Sequence, residues 1–162
     1  MKFFRYLLFS AVFLMGMNSC KKNSENLWKV EVKNPVEKVE LIDISKELYD
    51  PQISLETFTQ KYPFFQGTVP NEDFAERRKD PEEIKIYQEA ISKIDLIKLN
   101  KELASLFSHI KNYFPNFTEP TVFIYSSALQ GAADPIFYQD KENMLFIDIT
   151  GFMGENNPNY KG

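Results

Sequence analysis

The chain holds one cysteine, one histidine and one tryptophan in 162 residues. A single cysteine excludes an internal disulfide and any metal site built from several thiolates. A single histidine, with no HExxH pattern around it, makes a poor zinc site, because structural and catalytic zinc usually take several His or Cys ligands. No Gly-rich phosphate loop and no nucleophile elbow is present. No basic stripe runs along the chain, so no nucleic-acid partner is implied. Internal repeats and low-complexity tracts are also missing. What is present is ample material for a core. The hydrophobic fraction is 43% and the aromatic fraction 15%, with 15 Phe and 8 Tyr. That is too apolar for a disordered chain, and the length suits one domain. The net charge of −4 is modest.

The first twenty residues do not read as part of the fold. Lys2 and Arg5 form a positive start, and Tyr6 to Met17 follow as the apolar run YLLFSAVFLMGM. Asn18 and Ser19 lead to Cys20, the only cysteine. A charged start, an apolar run of about 12 residues and a small residue before the cut describe a secretory signal. The run falls short of the ~20 apolar residues that span a bilayer. A short N-terminal membrane anchor is the other reading. The position of the cysteine resembles a bacterial lipoprotein signal, in which cleavage falls just before a cysteine that is then acylated. One acyl chain holds a protein only marginally, at about 0.8 kcal/mol per buried CH₂, whereas several chains anchor it durably. A free or buried thiol is the alternative for Cys20. Cleavage after Ser19 removes Lys2 and Arg5 and no acid, leaving 17 cations against 23 acids, a charge of −6. The expected division is a lipoprotein signal peptide over 1–19, a polar tether over 20–35 and a single domain over 36–162. Trp28 in the tether either packs on the domain or touches the lipid interface.

Within the domain, VEKVELIDI (36–44) reads as a short strand. Ser54 suits the cap of a helix carrying Leu55, Phe58 and Tyr62 and stopped by Pro63. Asp80, Pro81 and Glu83 form a capping-box start for a helix with Ile84, Tyr87, Ile91 and Ile94 on its apolar stripe. Asp95 then restarts a second helix or marks a bend. The longest helix is DLIKLNKELASLFSHIKNYFP. Leu96, Leu99, Leu103, Leu106, Phe107, Ile110, Tyr113 and Phe114 fall in one sector at about 100° per residue. Lys98, Lys101, Ser105, Ser108 and Asn112 occupy the other side, and Pro115 stops it. The period then changes to two. TVFIYSS (121–127) is a strand, and PIFYQ, DKEN and MLFIDI read as strand, turn and strand over 135–149. The expected fold is α+β: a helical N-terminal half with one long amphipathic helix packed on a small antiparallel sheet, a β-meander. The tail 151–162 is rich in Gly, Asn and Pro, with no element after it. A strand such as MLFIDI normally has more chain to cover its face, so a longer protein lacking its C-terminal part here is expected.

Candidates for chemistry are few. His109 lies at the edge of the long helix's apolar face, where a boundary or capping role is expected. Ser108 beside it does not face it, since i and i+1 on a helix point apart. Asp134, Asp140 and Asp148 fall near the sheet. Two of them could form an acid/base pair, but turn-forming roles for Asp134 and Asp140 and a strand-end role for Asp148 account for them. Asn116-Phe117-Thr118 matches a glycosylation sequon, and Asn116 also suits the end of the helix turn.

One run is familiar as a whole. ELASLFSHIKNYFPNFTEPTVFIYSS (102–127) resembles the gliding-motility lipoprotein B family (GldB) of Bacteroidota. Upstream, FTQKYPFFQGTVPNEDFAERRKD (58–80) is similar to that family's KYPFFF…P…RKD stretch. Downstream, PIFYQDKENMLFIDITGFMGENNPNYKG (135–162) is similar to its closing run. Phe152 and Met153 stand where the family tends to have Tyr and Leu. The resemblance implies a membrane-anchored lipoprotein of the gliding motility and type IX secretion machinery. It implies no enzymatic activity and no cofactor. The anchor would be the acylated, palmitate-bearing Cys20, with the domain on the periplasmic side of a bacterial membrane and other envelope proteins as partners. The family's fuller length also looks distantly like zinc metallopeptidases, which implies an incomplete zincin-like domain. It leaves, as the alternative function, a degenerate zinc-metallopeptidase-like binding domain of the cell envelope.

Overall fold

The computed structural model describes residues 31–67, 69–130 and 134–160. The expected signal segment 1–19, Cys20, Trp28 and most of the expected tether lie outside the described residues. Strand β1 (Leu41–Asp43) passes directly into α1 (Ile44–Leu48), because the Asp43 side chain accepts from the Lys46 N–H and caps the helix start. Ser54 caps α2 (Leu55–Lys61) by accepting from the Thr57 N–H. Helix α3 (Asn71–Arg77) follows Pro70. Asp80 caps α4 (Pro81–Ser92), with Pro81 in its first turn, and Asp95 caps α5 (Leu96–Tyr113), 18 residues long. The strands β2 (Thr121–Tyr125), β3 (Ile136–Gln139) and β4 (Met144–Asp148) come next. Two 3₁₀ turns, Ile149–Phe152 and Pro158–Tyr160, close the described chain.

The sheet is not the expected antiparallel meander. Its order is β1-β2-β4-β3. β1 pairs with β2 and β2 with β4, both parallel, and only β3 runs antiparallel, against β4. The β3–β4 hairpin was legible because its turn is local. The β1–β2 pairing joins Leu41 to Val122 across the whole helical section, and no short-range signal carries that. Burial agrees with a parallel arrangement. β2 sends Val122 and Ile124 to one face and Phe123 to the other, and β4 likewise divides Ile147 from Phe146. Strands covered on both faces read as unbroken apolar runs. The architecture is therefore mixed α/β, with helices on both faces of a four-stranded sheet. α4 and α5 supply Ala90, Leu103, Ala104 and Phe107 to one layer. α1, α2 and α3 supply Ile44, Leu48, Phe58, Tyr62 and Phe74 to the other.

Helix α5 departs from its expected face. Leu103, Ala104, Phe107 and Ser108 are buried. Leu106, Tyr113 and Phe114, expected inside, are 38%, 54% and 67% exposed. The sheet covers a narrower sector than the apolar one. Ser108, expected on the polar side, donates to the Ala104 carbonyl (2.6 Å) and accepts the Val36 N–H (2.7 Å). It thereby pins the chain where that chain enters the domain. The C-terminal segment is also more structured than its composition implies. Asn157 is buried and donates to Glu89 on α4 (2.6 Å), and Lys93 donates to the Met153 carbonyl (3.0 Å). Gly151 is required there, since a Cβ would lie 2.7 Å from the Pro135 Cβ.

Candidate functional site

In open sheets with parallel strands, ligands favour the carboxyl ends of those strands. Here β1, β2 and β4 end at Asp43, Tyr125 and Asp148, and polar side chains gather on all three. Asp43 accepts from the Tyr87 hydroxyl at 2.8 Å. Burial holds the Asp43 carboxyl above the usual carboxylate range, against the opposing pull of its hydrogen bonds from Lys46 and Tyr87. The Tyr87 ring packs on Tyr49 at 5.4 Å. The Tyr49 hydroxyl donates to Glu83 (3.3 Å), which is 6% exposed. Both Glu83 oxygens accept from the Arg77 Nε–H (3.0 and 3.2 Å), and Gln130 donates to the same carboxylate (3.3 Å). Glu83 therefore does not act as the reciprocal half of a capping box. Its buried carboxylate is compensated by the partly exposed Arg77 and by two neutral donors.

The loop after β2 is held by its neighbours. The Ser126 N–H donates to the Ser45 hydroxyl (2.8 Å), and the Ala128 N–H donates to the Ser126 hydroxyl (3.2 Å). Ala128 and Leu129 adopt φ of 53° and 66°, a conformation costly for residues with a Cβ and sustained by the surrounding bonds. Asp148 accepts from the Ser127 N–H (3.2 Å), the Thr150 N–H (3.0 Å) and the Thr150 hydroxyl (2.6 Å). A cleft of about 540 Å³ opens nearby between the α1–α2 loop and α3. Arg78 lines it and donates to the carbonyls of Leu48 (2.6 Å), Asp50 (3.1 Å) and Ile53 (2.6 Å).

The residues singled out from the sequence are not brought together. Cys20 lies outside the described residues. His109 is half-buried on α5, and its Nδ1–H donates to the Ser105 carbonyl (2.7 Å). Asp134 and Asp140 are exposed at opposite ends of β3, while the Asp148 carboxylate is committed to Ser127 and Thr150. No acid/base pair forms among them. Asn116 sits in an exposed turn. Among the described residues, no group of three or more His, Cys, Asp or Glu could hold a metal ion. The cluster at the strand ends was missed because its members, Asp43, Tyr49, Arg77, Glu83 and Tyr87, come from four elements. Glu83 carried a local pattern that explained it differently.

The cluster makes an alkaline prediction. Burial raises Tyr49 and Tyr87, with Glu83 and Asp43 adding negative charge beside them. Tyr125 is pushed up to about 12 by burial and by Asp148. Phenols held protonated in the fold stabilise it fully below their free value of about 10, and that contribution is lost as pH rises through the folded value. Stability should therefore fall between pH 10 and 12, by less than about 1.4 kcal/mol per pH unit per tyrosine because the rings are partly exposed. Urea denaturation across that range measures it. Flat stability would contradict the buried-phenol assignment, and Tyr87→Phe should reduce the slope.

These features define a mixed α/β domain whose polar side chains at the strand ends are largely satisfied from within. The chain belongs to the gliding motility protein GldB family, whose model matches residues 17–162. This is a gliding-motility lipoprotein family of the cell envelope, not a known enzyme family. No curated protein and no solved structure shows significant similarity to the chain. Among the described residues, no helix is long and apolar enough to cross a membrane.

Proposed function

We propose that the protein is a non-enzymatic component of the gliding apparatus, linked to type IX secretion. It is anchored through acylated Cys20, with its domain on the periplasmic side of a bacterial membrane. The observation that carries this reading is the family match, which begins at residue 17, within the segment MNSCKK. The domain's local bonding is compatible with it: the hydroxyls of Ser126 and Ser127, beside the strand ends, are engaged with the Ala128 N–H and with Thr150, and the His109 Nδ1–H donates to the Ser105 carbonyl. The alternative, a degenerate zinc-metallopeptidase-like binding domain in an incomplete zincin-like fold, predicts stoichiometric zinc on the purified protein, lost on changing His109.

Deletion of the gene tests the proposal. Colony spreading should be abolished and export through the type IX system reduced, with both restored by the intact gene on a plasmid. Normal spreading and normal export in the deletion strain, with no second copy in the genome, would sink the assignment.

A further inference from the structure

We infer that the domain stands on its membrane through Tyr113 and Phe114, with the amino ends of its parallel strands toward the bilayer and the Glu83 cluster pointing away. The inference rests on the lipid anchoring of Cys20 proposed above. It starts from where the chain enters the domain. Val32, Lys33 and Asn34 line one cleft together with Lys111, Asn112 and Pro115 at the carboxyl end of α5. Val36 is then tied to Ser108 one turn back along that helix. The same end of the molecule carries the starts of β1 and β2, since the Val122 N–H donates to the Glu40 carbonyl (2.9 Å) and Lys111 pairs with Glu119 (2.6 Å).

At this end, Tyr113 and Phe114 are 54% and 67% exposed, and Pro115 and Asn116 beside them are exposed as well. Adjacent exposed aromatics at a helix end suit a bilayer interface, where rings settle at headgroup depth. Cys20 and Val32 are twelve residues apart, which spans at most about 40 Å when fully extended. A tether of that length keeps the bilayer at high effective concentration, so a weak aromatic contact suffices to choose an orientation. Two other exposed apolar groups are placed differently. Leu96 and Ile97 stand at the far end of α5, about 25 Å from Phe114 at the helical rise. Ile136, Phe137 and Tyr138 lie along the sheet edge. Charge does not supply the attraction. Lys33, Lys38 and Lys111 share this end with Glu37, Glu40 and Glu119, so the contact should be insensitive to salt and to anionic lipid.

The test uses the full chain, acylated in its host and reconstituted into vesicles of phosphatidylethanolamine and phosphatidylglycerol. With Cys20 acylated, Asn116→Cys gives one free thiol beside the aromatic pair. Glu82→Cys gives one in the first turn of α4, beside the Glu83 cluster. Each is labelled with a polarity-sensitive dye, and part of the lipid carries a headgroup-level quencher. Quenching at position 116 should exceed that at 82 by about twofold or more, in low and high salt alike. Adding Tyr113→Ser and Phe114→Ser should remove the difference while leaving the circular dichroism unchanged. Equal quenching at the two positions, or stronger quenching at 82, on protein that floats with the vesicles would overturn the orientation and leave the anchor intact. Protein that does not float would overturn the anchor and the orientation together.

Discussion

Replacing Phe58 with alanine is expected to lower the stability of the domain by about 4 kcal/mol, within the range for a fully buried phenylalanine. The magnitude follows from its position. Phe58 is 0% exposed on α2 and sits at the centre of an aromatic layer. Its ring lies 5.1 Å from Tyr62, 5.9 Å from Phe65 and 5.9 Å from Phe74. Arg78 lies over the same ring at 6.0 Å while its guanidinium donates to three carbonyls. Truncation thus opens a cavity between α2 and α3 and removes one edge-to-face and two tilted ring contacts at once. The matching control is Phe137→Ala on the edge strand. Phe137 stacks on Phe146 at 4.6 Å and 7°, but is 46% exposed, and its loss should cost only about 1 kcal/mol. Urea denaturation of the two variants separates them. Equal losses would mean that the layer beneath α2 is not the packed core described.

Replacing Cys20 with serine is expected to have the largest effect outside the core. It should abolish incorporation of labelled fatty acid and leave either a soluble protein or an uncleaved precursor. The physical ground is the size of the anchor. Each buried CH₂ contributes about 0.8 kcal/mol, so several acyl chains on one residue would anchor a protein durably. Serine keeps the size and polarity of the position but offers no thiol to acylate. A Cys20→Ser protein that is still acylated and membrane-bound would end the lipoprotein reading. Retention as an uncleaved, unacylated precursor would show the apolar run Tyr6–Met17 holding the membrane unaided.

Local signals accounted for much of the helical half. The caps at Ser54, Asp80 and Asp95 form as their residue types require, because capping is decided within three residues of chain. The β3–β4 hairpin was legible for the same reason. Helices α1, with 5 residues, and α3, with 7 residues and no side-chain cap, were not expected. Residue type and spacing alone thus determined the helix starts and the hairpin, and resemblance over contiguous runs determined the family; the expectation of an anchor at Cys20 is written in contiguous residues too. Tertiary structure alone decided the parallel order of the sheet, because the pairing of Leu41 with Val122 depends on how the intervening helices fold back. It likewise decided that Ser108 is buried and Phe114 exposed, since the covered sector of α5 is set by the sheet and by the incoming chain. It also turned Glu83 from a capping residue into a buried carboxylate paired with Arg77. Burial is a property of what packs above a residue, and for Glu83 that is Arg77, Tyr49 and Gln130, which come from three other segments of the chain.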